Sequence, residues 1–164
     1  MKKKVFWEYL ESAVDSICHL DEKKLSFLVF LLVALVMGFF RGIGNVDEIW
    51  NYAFAANLAS GLVPYRDFNM LQTPLFCMIN AFFFRIFGQH LLVMRLLGAV
   101  LFACICQILK YGCTRLGGRS PYTWVPGFAF LLMFEYNVFF EYSCLILLAM
   151  LAALCFDMRA VDAV

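Results

Sequence analysis

The chain has 164 residues, of which 64% are hydrophobic, 18% aromatic and only 15% charged. Soluble domains are roughly half apolar, so this composition sets aside an ordinary water-soluble fold and predicts an all-α integral membrane protein. A formal net charge of +1 leaves no excess of either sign, so neither nucleic acid nor an acidic macromolecule is an expected partner.

Seven cysteines are present. An odd count with no repeated short spacing argues against both a disulfide framework and a zinc site. Cys104, Cys106, Cys144 and Cys155 lie in apolar runs, where a free thiol behaves as a small hydrophobe. His19 and His90 are far apart and have no ligand pattern around them, so no metal and no cofactor is expected.

Residues 1–24 carry Lys2, Lys3, Lys4, Lys23 and Lys24 around a mixed stretch in which Phe6, Tyr9, Leu10, Ala13, Val14 and Ile17 recur at helical spacing. Two readings are open: a basic amphipathic helix on the cytoplasmic face, or an irregular tail. Leu25 to Phe40 is uncharged and covers about 24 Å as a helix. Extended to Ile43, it predicts a first transmembrane helix over 25–43. It starts late and no small-x-small pattern follows, so a cleaved signal peptide is not expected.

A long external loop, 42–90, comes next. Within it, Asp47 to Gly61 reads as a short helix: an acidic start, Trp50, Phe54 and Leu58 on one face, and a terminal Gly followed by Pro64. The local role of Asp47 would be that of an N-cap, and a turn at Pro64 to Asp67 would hold an Arg66–Asp67 contact of little energetic value. Leu71 to Phe87 includes Gln72, Thr73, Pro74, Asn80 and Arg85, which suits an interfacial helix better than a spanning one. Further spans are predicted at 91–111, between Arg95 and Lys110, and at 120–137 and 139–157, a hairpin linked through Glu135 to Glu141. Gly117-Gly118 with Pro121 marks the turn before it.

Charge distribution tests this layout, because Lys and Arg accumulate on the cytoplasmic side. With 71–87 on the outer surface, Lys2, Lys3, Lys4, Lys23, Lys24, Lys110, Arg115, Arg119 and Arg159 lie inside, and Arg41, Arg66, Arg85 and Arg95 outside. If 71–87 crossed, the excess would nearly vanish. The expectation is therefore a multi-pass protein of the cell membrane. It has about four transmembrane helices, both termini in the cytoplasm and two juxtamembrane helices in the first external loop.

The ordered set of a basic N-terminus, one transmembrane helix, Asp47-Glu48, Ala55-x-x-Leu58-x-x-Gly61, Pro64-Tyr65-Arg66-Asp67-Phe68, Thr73-Pro74-Leu75, Phe87-Gly88 and Arg95 resembles the N-terminal part of GT-C-fold glycosyltransferases. These include protein O-mannosyltransferases, aminoarabinose transferases and bacterial Rgt-type enzymes. The resemblance covers about residues 25–111. It departs at Thr73, where many members have Pro, and in length, since family enzymes have many more transmembrane helices. The chain is similar to the front portion of such an enzyme and by itself would be too short for activity.

The resemblance implies an inverting transfer of a sugar from a polyprenyl-phosphate carrier to an acceptor glycan, lipid or protein on the external side. It places the active-site acid of the first external loop on Asp47, as general base toward the acceptor hydroxyl. Arg95 and then Arg66 would stabilise the leaving lipid phosphate, or else snorkel to the interface. Glu48 would orient the acceptor or face water, and Tyr65 and Trp50 would stack on sugar or border the lipid. The alternative is a catalytically silent membrane module that binds lipid or partner helices. A small transporter subunit fits less well, because no ionisable residue falls within a broken mid-membrane helix.

Overall fold

In a computed structural model of the protein the described residues are 21–40, 42, 46–71, 73–118, 120–133 and 142–161. The fold is all-helical, and among the described residues there is no β-strand, only an isolated bridge between Pro64 and Phe68. The helices are α1 (Glu22–Phe39), α2 (Val46–Ala59), α3 (Leu75–Phe87), α4 (Leu91–Gly117), α5 (Val125–Met133) and α6 (Tyr142–Val161), with a 3-10 turn at Pro121–Trp124. The expected amphipathic segment before residue 21 and the Glu135 to Glu141 link lie outside the described residues.

Helix α4 is the centre of the fold, packed against α1, α5, α6 and, near its start, α3. Its 27 residues span about 40 Å. It continues past the expected end at 111 until Gly117, and Gly118, at φ 76°, turns the chain away. Helix α1 begins three residues before the expected Leu25. Glu22 in its first turn suits the positive end of the helix dipole, and lysines propagate a helix readily.

Every fourth residue of α1 is buried: Ser26, Phe30, Ala34 and Gly38. This ridge of three small residues and one ring lies along α4, whose Ala99, Phe102, Ala103 and Cys106 are buried in the same core. Phe30 is enclosed by Trp124 and Phe128, with ring centroids 5.6 and 5.2 Å away. The opposite face of α1 exposes Leu28, Leu32 and Val36. A helix apolar on both faces is the pattern of a large core or a membrane.

Helices α2 and α3 pack on each other. Helix α2 ends in a Schellman motif: Leu62 N–H donates to Asn57 O at 3.0 Å and Gly61 N–H to Leu58 O at 3.1 Å, with Gly61 at φ 91°. Among the described residues one helix, α4, is long and apolar enough to cross a membrane, while Leu75–Phe87 and Ile146–Cys155 are shorter apolar stretches. Helix α1 is 18 residues long, but its first turn holds Glu22, Lys23 and Lys24.

Candidate functional site

Asp47 and Glu48 both occupy the first turn of α2, where the helix dipole favours negative charge. Asp47 is the second helical residue, so it is not the N-cap that local reading suggests. Its carbonyl accepts from Asn51 Nδ2 at 2.8 Å. Successive helical side chains diverge by about 100°, and the two carboxylates part accordingly: Asp47 stays partly exposed while Glu48 is 3% exposed.

Glu48 meets Arg95 of α4. The guanidinium donates Nε–H to Glu48 Oε1 at 2.8 Å and Nη2–H to Oε2 at 3.3 Å, a two-pronged arrangement that fixes the planes of both groups. The Arg95 side chain is 9% exposed. Glu48 therefore does not face water and Arg95 does not snorkel. Together they clamp the first turn of α2 to the start of α4, leaving Asp47 on the accessible side of the joint.

Arg66 and Tyr65 belong to a different place, the turn that follows the C-terminus of α2. Arg66 donates Nε–H to Asp67 Oδ1 at 2.9 Å and Nη2–H to Oδ2 at 2.8 Å, the local contact expected from sequence. Tyr65 takes a left-handed φ of 65°, unusual for a bulky side chain, and its N–H donates to Phe68 O at 2.8 Å. The structure thus gathers Asp47, Glu48 and Arg95 at the start of α2, and holds Arg66 and Tyr65 in the turn beyond its far end. Trp50 is half exposed on α2.

The Arg66 guanidinium, and then the Val63 N–H, hold the Asp67 carboxyl below its ordinary value of 3.8. A lowered folded-state value means that the turn is stabilised fully above about pH 4 and loses this support as pH falls through the lower folded value. In a carbon-detected NMR titration, the Asp67 carboxyl is expected to titrate below 3.8 and Arg66→Gln to move it back up. An Asp67 midpoint unaffected by Arg66→Gln would disprove the pairing in solution.

Several positioning residues escape a sequence reading. Arg85 of α3 donates to the last carbonyls of α2, Nη2–H to Leu58 O at 2.9 Å and Nε–H to Ala59 O at 3.2 Å, where the helix dipole favours a cation. Tyr52 O–H donates to Gln89 O at 2.8 Å and Gln89 Nε2 to Ser60 Oγ at 3.0 Å. These bonds tie the α3–α4 corner to α2. The signal for Arg85 was a lone charge in a largely apolar helix, which needs a partner. On α3, buried Asn80 donates to Phe76 O at 2.9 Å, and its Oδ1 has no hydrogen-bond partner among the described residues.

Among the described residues no three His, Cys, Asp or Glu side chains converge as metal ligands, and Cys77, Cys104, Cys106, Cys113 and Cys155 are free thiols. Fold and site together define an all-helical protein in which a buried carboxylate–guanidinium pair joins a short acidic-ended helix to the central one. Comparison with protein-family models, with curated proteins and with solved structures finds no match to this chain.

Proposed function

We propose that the chain is a GT-C-type membrane glycosyltransferase, or an N-terminal fragment of one, that transfers a sugar from a polyprenyl-phosphate carrier to a glycan, lipid or protein acceptor at the external face. The observation that carries this reading is the Glu48–Arg95 clamp, which holds partly exposed Asp47 where α2 meets α4. In this reading α1, α4 and the α5–α6 region form four spans with both termini cytoplasmic, and α2 and α3 lie at the outer interface. The outward faces support a lipid surround, since Leu92, Leu96 and Val100 on α4 and Met78, Phe82 and Ile86 on α3 are all exposed and apolar.

The acceptor hydroxyl is a weak nucleophile, and Asp47 would accept its proton as the new glycosidic bond forms. Glu48 is then a positioning residue. It orients the Arg95 guanidinium, whose charge would stabilise the lipid phosphate as it leaves with its bonding electrons. The test is Asp47→Asn in membranes containing the whole enzyme, with release of polyprenyl phosphate from a panel of hexosyl and pentosyl donors as readout. Transfer is expected to drop at least about a hundred-fold while carbonate-resistant membrane insertion is unchanged. Normal turnover by the variant would sink the assignment.

The exposed apolar faces also favour a second reading, a catalytically silent module that packs on lipid or partner helices. It is supported if the wild-type protein, in the same whole-enzyme membranes, inserts but turns over no donor in that panel.

A further inference from the structure

A second polar site lies at the opposite end of α4. A cavity of about 80 Å³ is lined by Glu22, Lys23, Gln107, Lys110, Tyr111 and Thr114. Lys110 is 5% exposed. Its Nζ donates to Glu22 Oε1 at 2.9 Å and lies 5.1 Å from the centroid of the Trp124 ring, a cation–π contact. Gln107 uses its Oε1 to accept from Ser26 Oγ at 2.8 Å. Ser26 Oγ also lies 3.0 Å from Lys23 O, so its single proton is shared between the two acceptors; neither the Gln107 Nε2 donors nor the Lys23 ammonium makes a hydrogen bond among the described residues. An ammonium carries three donors and an amide two, so the unsatisfied capacity of the cavity wall is mainly that of donors.

The geometry points to a binding site for the monoanionic phosphodiester of a membrane lipid headgroup, held by Lys110, Gln107 and Lys23. Charge selects the ligand class: Lys23 and Lys110 against Glu22 leave one positive charge, which a phosphodiester balances and a dianionic phosphate overshoots. Size agrees, because the cavity accepts one compact anionic group and no sugar ring. Position agrees as well. Lys110 lies fifteen residues after Arg95, about 22 Å along the helix, so the two ion pairs bracket an apolar belt somewhat thinner than the roughly 30 Å hydrocarbon core. The site rests on the membrane placement proposed above and is independent of the glycosyltransferase reading.

The test uses the purified protein in neutral detergent, titrated separately with phosphatidylglycerol, phosphatidylcholine and inorganic phosphate and followed by native mass spectrometry. One tightly retained phosphatidylglycerol is expected. Lys23→Gln, at an exposed position that leaves the fold intact, should weaken retention about five-fold, the loss of one lysine contact at a lipid surface. Gln107→Glu, which sets a second carboxylate beside Glu22, should weaken it by more than about ten-fold. Lys110→Gln should abolish it, with circular dichroism reporting whether that variant still folds. Wild-type retention by both Lys23→Gln and Gln107→Glu overturns the proposal. So does binding of inorganic phosphate with no phosphatidylglycerol retained. Carbonate extraction of the wild-type protein reports the membrane placement separately.

Discussion

Glu48→Ala is expected to destabilise the protein by about 3–5 kcal/mol, because it strands a buried guanidinium without its carboxylate. The Arg95 side chain is 9% exposed and Glu48 3%, so little water can reach the orphaned charge. Removing both charges behaves differently. A Glu48→Met, Arg95→Met double variant should recover most of the loss, since a packed apolar pair avoids the desolvation that an ion pair must offset. Thermal unfolding in detergent measures both. The double variant also separates structure from chemistry: it is expected to keep the fold and, under the proposed function, to transfer no sugar, because the cation proposed to stabilise the leaving phosphate is gone. If Glu48→Ala unfolds at the wild-type temperature, the clamp does not hold α2 to α4 and the placement of Asp47 loses its basis.

Gly127→Ala is the second large effect, expected to cost about 1–3 kcal/mol through overpacking. A Cβ at this position would come within 2.6 Å of Phe30 Cζ and 2.8 Å of Cε1, with Cys106 Cβ at 3.3 Å. The ring cannot swing clear, because Phe30 is fully buried between Trp124 and Phe128. Shortening the obstacle should relieve the strain, so Phe30→Leu combined with Gly127→Ala is expected to be more stable than the sum of the two single changes predicts. Additive losses would mean that α1 and α5 are not in close contact. The glycine thus sets how near α5 approaches the α1–α4 pair, to which the candidate phosphodiester cavity also belongs.

Helices α2 and α3 could be read from the chain nearly to the residue, because their signals are local. An acidic first turn, a terminal Gly61 with Pro64 beyond it, and Pro74 before Leu75 each act within one helical turn. The Arg66–Asp67 pair was legible for the same reason, its partners being adjacent. The ends of α1 and α4 were missed by a few residues. Lys23 and Lys24 read as part of the basic tail and Lys110 as the close of a span, yet the helices run on through them, because a hydropathy limit marks where a lipid-facing stretch ends and not where backbone hydrogen bonds stop.

The site residues divide along the same line. Asp47 and Arg95 were singled out through the resemblance and Glu48 as the neighbour of Asp47, but the pairing of Glu48 with Arg95 was not legible, and Glu48 was equally well assigned to water or to an acceptor. Its partner is 47 residues away, and for Lys110 and Glu22 the separation is 88. Periodicity tells which residues share a face; it does not tell which helix that face meets. In α1, apolar all round, it does not even show which face is inward, and the small residues Ser26, Ala34 and Gly38 settle that only once α4 lies against them.

The sequence by itself therefore determined an all-helical chain, the two short helices and the turn between them, all set by hydrogen bonds and contacts within a few residues. Only the tertiary structure decided that Glu48 turns inward to Arg95 while Asp47 stays accessible, and that Lys110 closes a donor-lined cavity at the other end of α4. A buried charge takes whichever opposite charge the packing brings within hydrogen-bond reach, and that pairing exists only after the helices have docked.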